Sequence, residues 1–177
     1  MAATWTAYAP GITFSTGLKG FLSLFNASGS GVTVRLYRIW VVNAQAAAVT
    51  GIVGTLQLRR ISAQTTTATT PVVPLKHDTA STNLPAQVTA VSGGTTIATA
   101  LELRRILYSS DEAAVNAAIQ MEDLEIFVPL SLIWDAGYGD TTIEPLTANE
   151  GQGFSLVHTG TASAAGNVDI IFEFTVT

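Results

Sequence analysis

The last ten residues constrain this chain more than any other stretch. From Val168 to Thr177, the side chains of Val168, Ile170, Phe172, Phe174 and Val176 fall on one side of an extended backbone. Asp169, Glu173, Thr175 and Thr177 fall on the other, and only Ile171 breaks the order. A period of two is not a helix period, so the spacing predicts a strand with one buried face. At about 1.5 to 3 kcal/mol per buried side chain, the five inward residues contribute roughly 7 to 15 kcal/mol before conformational entropy opposes it. Removing these ten residues is expected to unfold the domain.

The same alternation marks further strands at Ile12–Leu18, Phe21–Ala27, Val32–Val42, Ile52–Ile61, Pro71–Lys76, Gln87–Val91, Ile97–Tyr108, Leu124–Trp134 and Gly153–His158. Turn-forming clusters separate them, among them Asn26–Gly31, Ser92-Gly93-Gly94 and Gly137-Tyr138-Gly139-Asp140. Only Ser110–Gln120 reads as helix. Ser110 suits its cap, Asp111 and Glu112 its positive end, and Ala113, Ala114, Ala117 and Ala118 its interior. One short helix among about eight to ten strands predicts an all-β sandwich or barrel.

At 177 residues a single domain is expected, and a chain of this length buries about 70% of its unfolded surface without needing disulfides or a metal. With no cysteine, the sequence carries no redox-compartment signal. No charged leader with an apolar run stands near Met1 and no apolar stretch is long enough to cross a bilayer, so neither a signal peptide nor a membrane partner is expected. Hydrophobic residues make up 47% and charged residues 12%, a composition opposed to disorder. Most of the polar coat must therefore come from neutral Thr, Ser, Asn and Gln. Such a surface loses little when it is dried, and it suits a chain covered by other subunits; a Thr-rich monomer is the alternative.

The few charges are unevenly placed. Up to Ala100, six basic residues (Lys19, Arg35, Arg38, Arg59, Arg60, Lys76) stand against Asp78; beyond it, twelve acids stand against Arg104 and Arg105, giving +5 and −10, which sum to the net −5. Pairing within one fold and head-to-tail contact between copies both follow from that asymmetry. Nucleic acid is not an expected partner, because phosphate binding needs clustered Lys and Arg that an acidic chain with eight bases lacks.

A hexapeptide recurs. Leu56-Gln57-Leu58-Arg59-Arg60-Ile61 returns as Leu101-Glu102-Leu103-Arg104-Arg105-Ile106, 45 positions on. Strict alternation would carry Arg60 inward with Leu56 and Leu58, at a cost of several kcal/mol if the charge were unpaired. A bulge or strand end at each arginine pair is therefore expected, with both arginines in solvent and Ile61 and Ile106 returning to the core side. The functional alternative is an arginine fork, Arg59, Arg60, Arg104 and Arg105, gripping carboxylates of a neighbouring chain. Two copies suit a sandwich whose equivalent strands lie close together.

Residues 1–10 show no clear strand period and hold Trp5, Tyr8 and Pro10 without a charge. They read as an extended N-terminal arm ahead of a single domain over 11–177, either loose or docked through its aromatic anchors.

Catalytic patterns are scarce. No Cys and no Gly-x-Ser-x-Gly elbow occur, and His77 and His158 are the only imidazoles. His158 shares a strand face with Phe154 and Leu156 and reads as a core residue; His77 and its neighbour Asp78 point opposite ways in an extended chain. No His, Cys or carboxylate spacing matches a zinc or EF-hand site, although Glu122, Asp123 and Glu125, or Asp135, Asp140 and Glu144, are acids that calcium would accept. Gly51-x-x-Gly54 lacks the Lys-Ser/Thr of a phosphate loop, and Asn26-Ala27-Ser28, a glycosylation acceptor by pattern, reads as a turn. Trp134 and Tyr138 near Asp135 are the candidate sugar-stacking pair. No enzyme activity, cofactor, metal or small-molecule substrate is expected.

The C-terminal segment carries a family resemblance. Ala148-Asn149-Glu150-Gly151-Gln152-Gly153-Phe154-Ser155-Leu156-Val157, the Ala/Gly-rich stretch Gly160–Gly166 and Val168-Asp169-Ile170-Ile171-Phe172-Glu173-Phe174 resemble the last hairpin of small jelly-roll virion proteins of tailed bacteriophages. Leu36-Tyr37-Arg38-Ile39-Trp40-Val41-Val42-Asn43 and the first Leu-Arg-Arg-Ile are similar more loosely. The resemblance implies a jelly-roll-like antiparallel β-sandwich of about eight strands with one short helix. It also implies a capsid decoration or cement protein, made in the host cytoplasm and placed on the outer surface of the virion, usually as a homotrimer clamped across capsomers of the major capsid protein. Trp5, Tyr8, Pro10 and the four arginines are then the expected contacts. A tail, baseplate or fibre component and a non-catalytic carbohydrate-binding module using Trp134 and Tyr138 are the competing expectations.

Overall fold

The computed structural model describes residues 3–44, 52–64, 66–95, 97, 101–110, 130–137, 143–160 and 163–177. Alternation dictates the result: among these residues the chain is all-β. Its strands are β1 (Ala3–Phe14), β2 (Lys19–Asn26), β3 (Val34–Asn43), β4 (Ile52–Ile61), β5 (Thr69–Val72), β6 (Leu75–Lys76), β7 (Val88–Gly93), β8 (Glu102–Ser110), β9 (Leu130–Asp135), β10 (Leu146–Ala148), β11 (Gln152–Gly160) and β12 (Ser163–Val176). The expected helix at Ser110–Gln120 does not include Ser110, which ends β8; its remaining residues lie outside those described.

Two antiparallel sheets form the sandwich. Sheet A runs β10-β3-β12-β1-β6, with β9 also on β3, and sheet B runs β5-β7-β2-β11-β4-β8. Strand β1 pairs with β12, β2 with β11, β3 with β9 and β10, and β4 with β8. Successive pairs alternate between the sheets, which is a long hairpin folded over on itself, the jelly roll. The strands beyond that frame come from residues 62–93: β5 and β7 extend sheet B beyond β2, and β6 extends sheet A beyond β1.

The C-terminal strand behaves as its spacing requires. Val168, Ile170, Phe172 and Phe174 are fully buried, and β12 lies in the middle of sheet A between β1 and β3. Facing them across the sandwich are Phe21, Leu22 and Leu24 of β2, Leu56 and Leu58 of β4, and Phe154 and Leu156 of β11. His158 belongs to this core, its ring stacked on Phe21 (5.3 Å, 12°) and edge-on to Phe14 (4.8 Å, 80°). Gly54 makes the space for it, because a Cβ there would stand 2.2 Å from His158 Cε1.

The N-terminal arm is a correction. Residues 3–14 form β1, a strand inside sheet A with Trp5, Ala7 and Ala9 buried against Phe174, Phe172 and Ile170. Two of the three residues it buries ahead of Pro10 are alanines, so its period of two carries little hydrophobic contrast there. The chain tolerates Pro10 because Pro10 and Gly11 sit in a bulge between the Ala9 and Ile12 pairings, where no ladder bond is required of the proline nitrogen. Gly11 takes a φ of +61° there.

The two hexapeptides are hydrogen-bonded neighbours, Leu56 opposite Ile106 and Leu58 opposite Arg104. The expected bulge occurs in β8: Leu58 pairs with Arg104 and Arg59 with Glu102, so Leu103 is the extra residue, and Ile106 packs on the core. Strand β4 does end just past its arginine pair, at Ile61, as expected, but Arg60 and Ile61 do not take the expected orientations. Its register with β11 is regular from Gly54 through Ile61, so Arg60 does turn to the core face beside Phe154 and Ile61 turns outward. Arg60 is at the end of the sandwich, where Nη1 donates to Thr147 O (2.7 Å) and Gln152 Oε1 (3.2 Å) and the guanidinium lies 5.1 Å above the Phe154 ring. Those partners compensate the charge without a bulge. Ile61 is buried all the same, in a second cluster with Phe25, Ile97 and Val157 on the outer face of sheet B.

Candidate functional site

Acid–base chemistry has little to work with among the described residues. Two clefts, of about 660 Å³ around Trp5, Asn83 and Thr177 and about 530 Å³ around Pro71, Val73 and Leu84, are walled by neutral side chains. No group of three or more His, Asp or Glu is arranged to hold a metal among the described residues, and they contain no helix long and apolar enough to cross a membrane. His77 Nε2, just after β6, and Thr6 Oγ1 of β1 share a 2.6 Å hydrogen bond. Asn26 of the acceptor sequence is fully buried, its Nδ2 donating to Val32 O and Ala148 O.

What the fold does present is surface, and it is patterned. On the outer face of sheet A, cross-strand register assembles residues from distant sequence into rows. Tyr8 is opposite Ile171, Ile171 opposite Trp40, and Trp40 opposite Leu132, which makes an apolar row across β1, β12, β3 and β9. Its ends are open: Tyr8 is 45% and Leu132 41% exposed. The adjacent row is polar, with Thr6, Glu173, Arg38 and Asp135 in register. Arg38 Nε donates to Asp135 Oδ1 at 3.3 Å, and Arg38 Nη1 forms an ion pair with Glu173 Oε2 at 3.6 Å. These contacts join the basic first part of the chain to the acidic second part. On the other side of the apolar row, Asp169 fixes the orientation of Tyr8, accepting its hydroxyl at 2.5 Å on Oδ2 and the Gly11 N–H at 2.7 Å on Oδ1. The carboxylate raises the Tyr8 pKa, chiefly through that hydrogen bond.

A second patterned surface is the β8 side of sheet B, its edge among the described residues. Leu101, Leu103 and Leu107 are exposed on or beside β8, and Arg104 and Arg105 are exposed between them. Arg105 holds Glu102 through two bonds of 2.7 Å, Nε to Oε1 and Nη2 to Oε2, and Arg59 sits across the strand pair from Glu102. The Arg105 hydrogen bonds, foremost, and the charges of Arg105 and Arg59 hold the Glu102 carboxyl below the usual carboxylate range. Arg59 itself donates to Gln57 Oε1. The structure thus gathers Arg59, Arg104 and Arg105 at one edge and turns Arg60 away from them.

The remaining expected contacts scatter. Trp5 is buried and belongs to the core, whereas Tyr8 and Pro10 are exposed on the outer side of sheet A. Trp134 is half-buried against the core, with its ring nitrogen enclosed, and Tyr138 lies outside the described residues. Sequence reading missed Trp40, Leu132 and Ile171 as surface residues. Ile171 did leave a trace, as the one residue out of phase in the final strand.

Comparison with protein-family models, with curated proteins and with solved structures finds no match.

Proposed function

We propose that this chain is a bacteriophage virion structural protein, a capsid decoration or cement protein that binds across capsomers and stabilises the DNA-filled head. The observation that carries this reading is the exposure of large apolar side chains at ordered positions of a jelly roll: Tyr8 and Leu132 on one sheet face, Leu101, Leu103 and Leu107 along one sheet edge. Apolar groups in rows on a chain with 12% charged residues make a surface suited to being covered. The resemblance of the final hairpin supplies the virion setting. The mechanism is mechanical: each subunit makes modest contacts with neighbouring shell proteins, and repetition over the shell makes them collectively strong.

The test is saturable binding to shells. Purified protein added to heads that lack it should bind to a fixed stoichiometry in co-sedimentation and raise the temperature at which the heads release DNA. Failure to sediment with any head, or binding with no change in release temperature, overturns the reading. A tail or fibre role would show instead as labelling confined to tails in electron micrographs.

A further inference from the structure

We infer that the outer face of sheet A is a self-association surface on which a second copy of this chain docks, related by a two-fold axis parallel to the strands and lying between β12 and β3. The inference concerns this chain alone and stands with or without a capsid.

The rows of this face are self-complementary. A rotation about that axis keeps each row at its own height and reverses the order of strands, so β1 faces the second copy's β9 and β12 faces its β3. In the apolar row, Tyr8 then meets Leu132 of the other copy and Ile171 meets Trp40. In the polar row, Glu173 meets Arg38 and Arg38 meets Glu173, with Thr6 opposite Asp135. Apolar groups cover apolar groups, and the acids and base form an alternating ring. Face-to-face sheets about 10 Å apart bring side chains from such rows into contact. The other in-plane two-fold, along the apolar row, would lay Glu173 over Asp169 and set like charges together, so charge selects one arrangement. A contact of this symmetry is isologous and joins chains in pairs. The orientation of Tyr8, held by Asp169, is set before docking and reduces the ordering cost.

The experiment is sedimentation of the full chain over a range of concentrations, with charge-reversal variants. The wild-type mass should approach an even multiple of 18.5 kDa as concentration rises. Glu173→Arg leaves two arginines to face two arginines, and Arg38→Glu leaves two acids to face two acids, so each alone should weaken pairing at least about tenfold. Mixed in equal amounts, the two variants become complementary, and the paired mass should return. Leu132→Arg, at an exposed site outside the Arg38 cluster, should also weaken pairing while its circular dichroism stays native. The inference is overturned by a wild-type chain that stays monomeric or settles at an odd multiple. Single variants that pair like wild type, or an equal mixture that does not recover the paired mass, also overturn it.

Discussion

Two copies of nearly one hexapeptide lie side by side in sheet B and meet different fates. In β4, flanked by β11 and β8, Leu56 and Leu58 are almost fully buried and Arg60 follows them to the core face. In β8, which among the described residues pairs with β4 alone, Leu103 and the preceding Leu101 are exposed and a bulge falls at Leu103. A strand with neighbours on both sides keeps its register, because slipping one residue would turn its whole apolar set outward. An edge strand has one ladder to satisfy and absorbs an extra residue, which also blunts the edge against indiscriminate pairing. Position in the sheet, not local sequence, decides what these leucines and arginines do.

The largest expected difference is at the second leucine of each copy. Leu58→Ala empties a fully packed site and should cost about 2 to 5 kcal/mol in urea unfolding, whereas Leu103→Ala should stay within about 1 kcal/mol. Equal losses would mean that β8 is as central to the fold as β4. Next come the arginines. Arg60→Ala removes the donor to Thr147 O and Gln152 Oε1 and the cover over Phe154, and should cost about 1.5 to 3 kcal/mol. Arg104→Ala, at an exposed edge position, should change unfolding by no more than about 0.5 kcal/mol. If Arg60→Ala proved as mild as Arg104→Ala, the contrast between central and edge strand would hold for apolar residues only.

Outside the hexapeptides, Gly54→Ala should be damaging, since its Cβ would collide with the His158 ring, backed by Phe14 and Phe21. A loss of about 1 to 3 kcal/mol in urea unfolding is expected.

How far the sequence carried depends on contrast between inward and outward residues. The final strand and β4 were legible because Phe, Ile and Leu alternate with charges or Gln, and the strand limits Ile52–Ile61 are those observed. Strand β1 was not, because Ala7 and Ala9 give its buried side too little hydrophobic weight beside Trp5. Strand β10 is three residues after Pro145 and has no period to detect. Arg60 was misplaced because its compensation comes from Thr147, Gln152 and Phe154, some 90 residues away in the chain. The row of Tyr8, Ile171, Trp40 and Leu132 has the same origin: it exists only once the register of β1, β12, β3 and β9 is known.

The smallest expected effect returns to the edge strand and concerns pH. Glu102 pairs with Arg105 in solvent, and these bonds lower its folded pKa relative to the unfolded chain. A depressed carboxylate pKa contributes stability that is present above the unfolded value and is lost as pH falls through the folded value. Stability should therefore decline on acidification below the ordinary carboxylate range, and Glu102→Gln should flatten that decline slightly. Glu150, lowered by the N–H groups of Gly31 and Gly29, titrates in the same direction, so the comparison requires Glu150→Gln beside Glu102→Gln. Salt separates the two: raising ionic strength should weaken the exposed Arg105 pair, while the geometry-bound acceptors of Glu150 respond less. Unfolding measured across pH at low and high salt would show it. A Glu102→Gln profile identical to wild type at both ionic strengths would mean that the edge pair contributes nothing to folding, leaving the charges of β8 for contacts outside the chain.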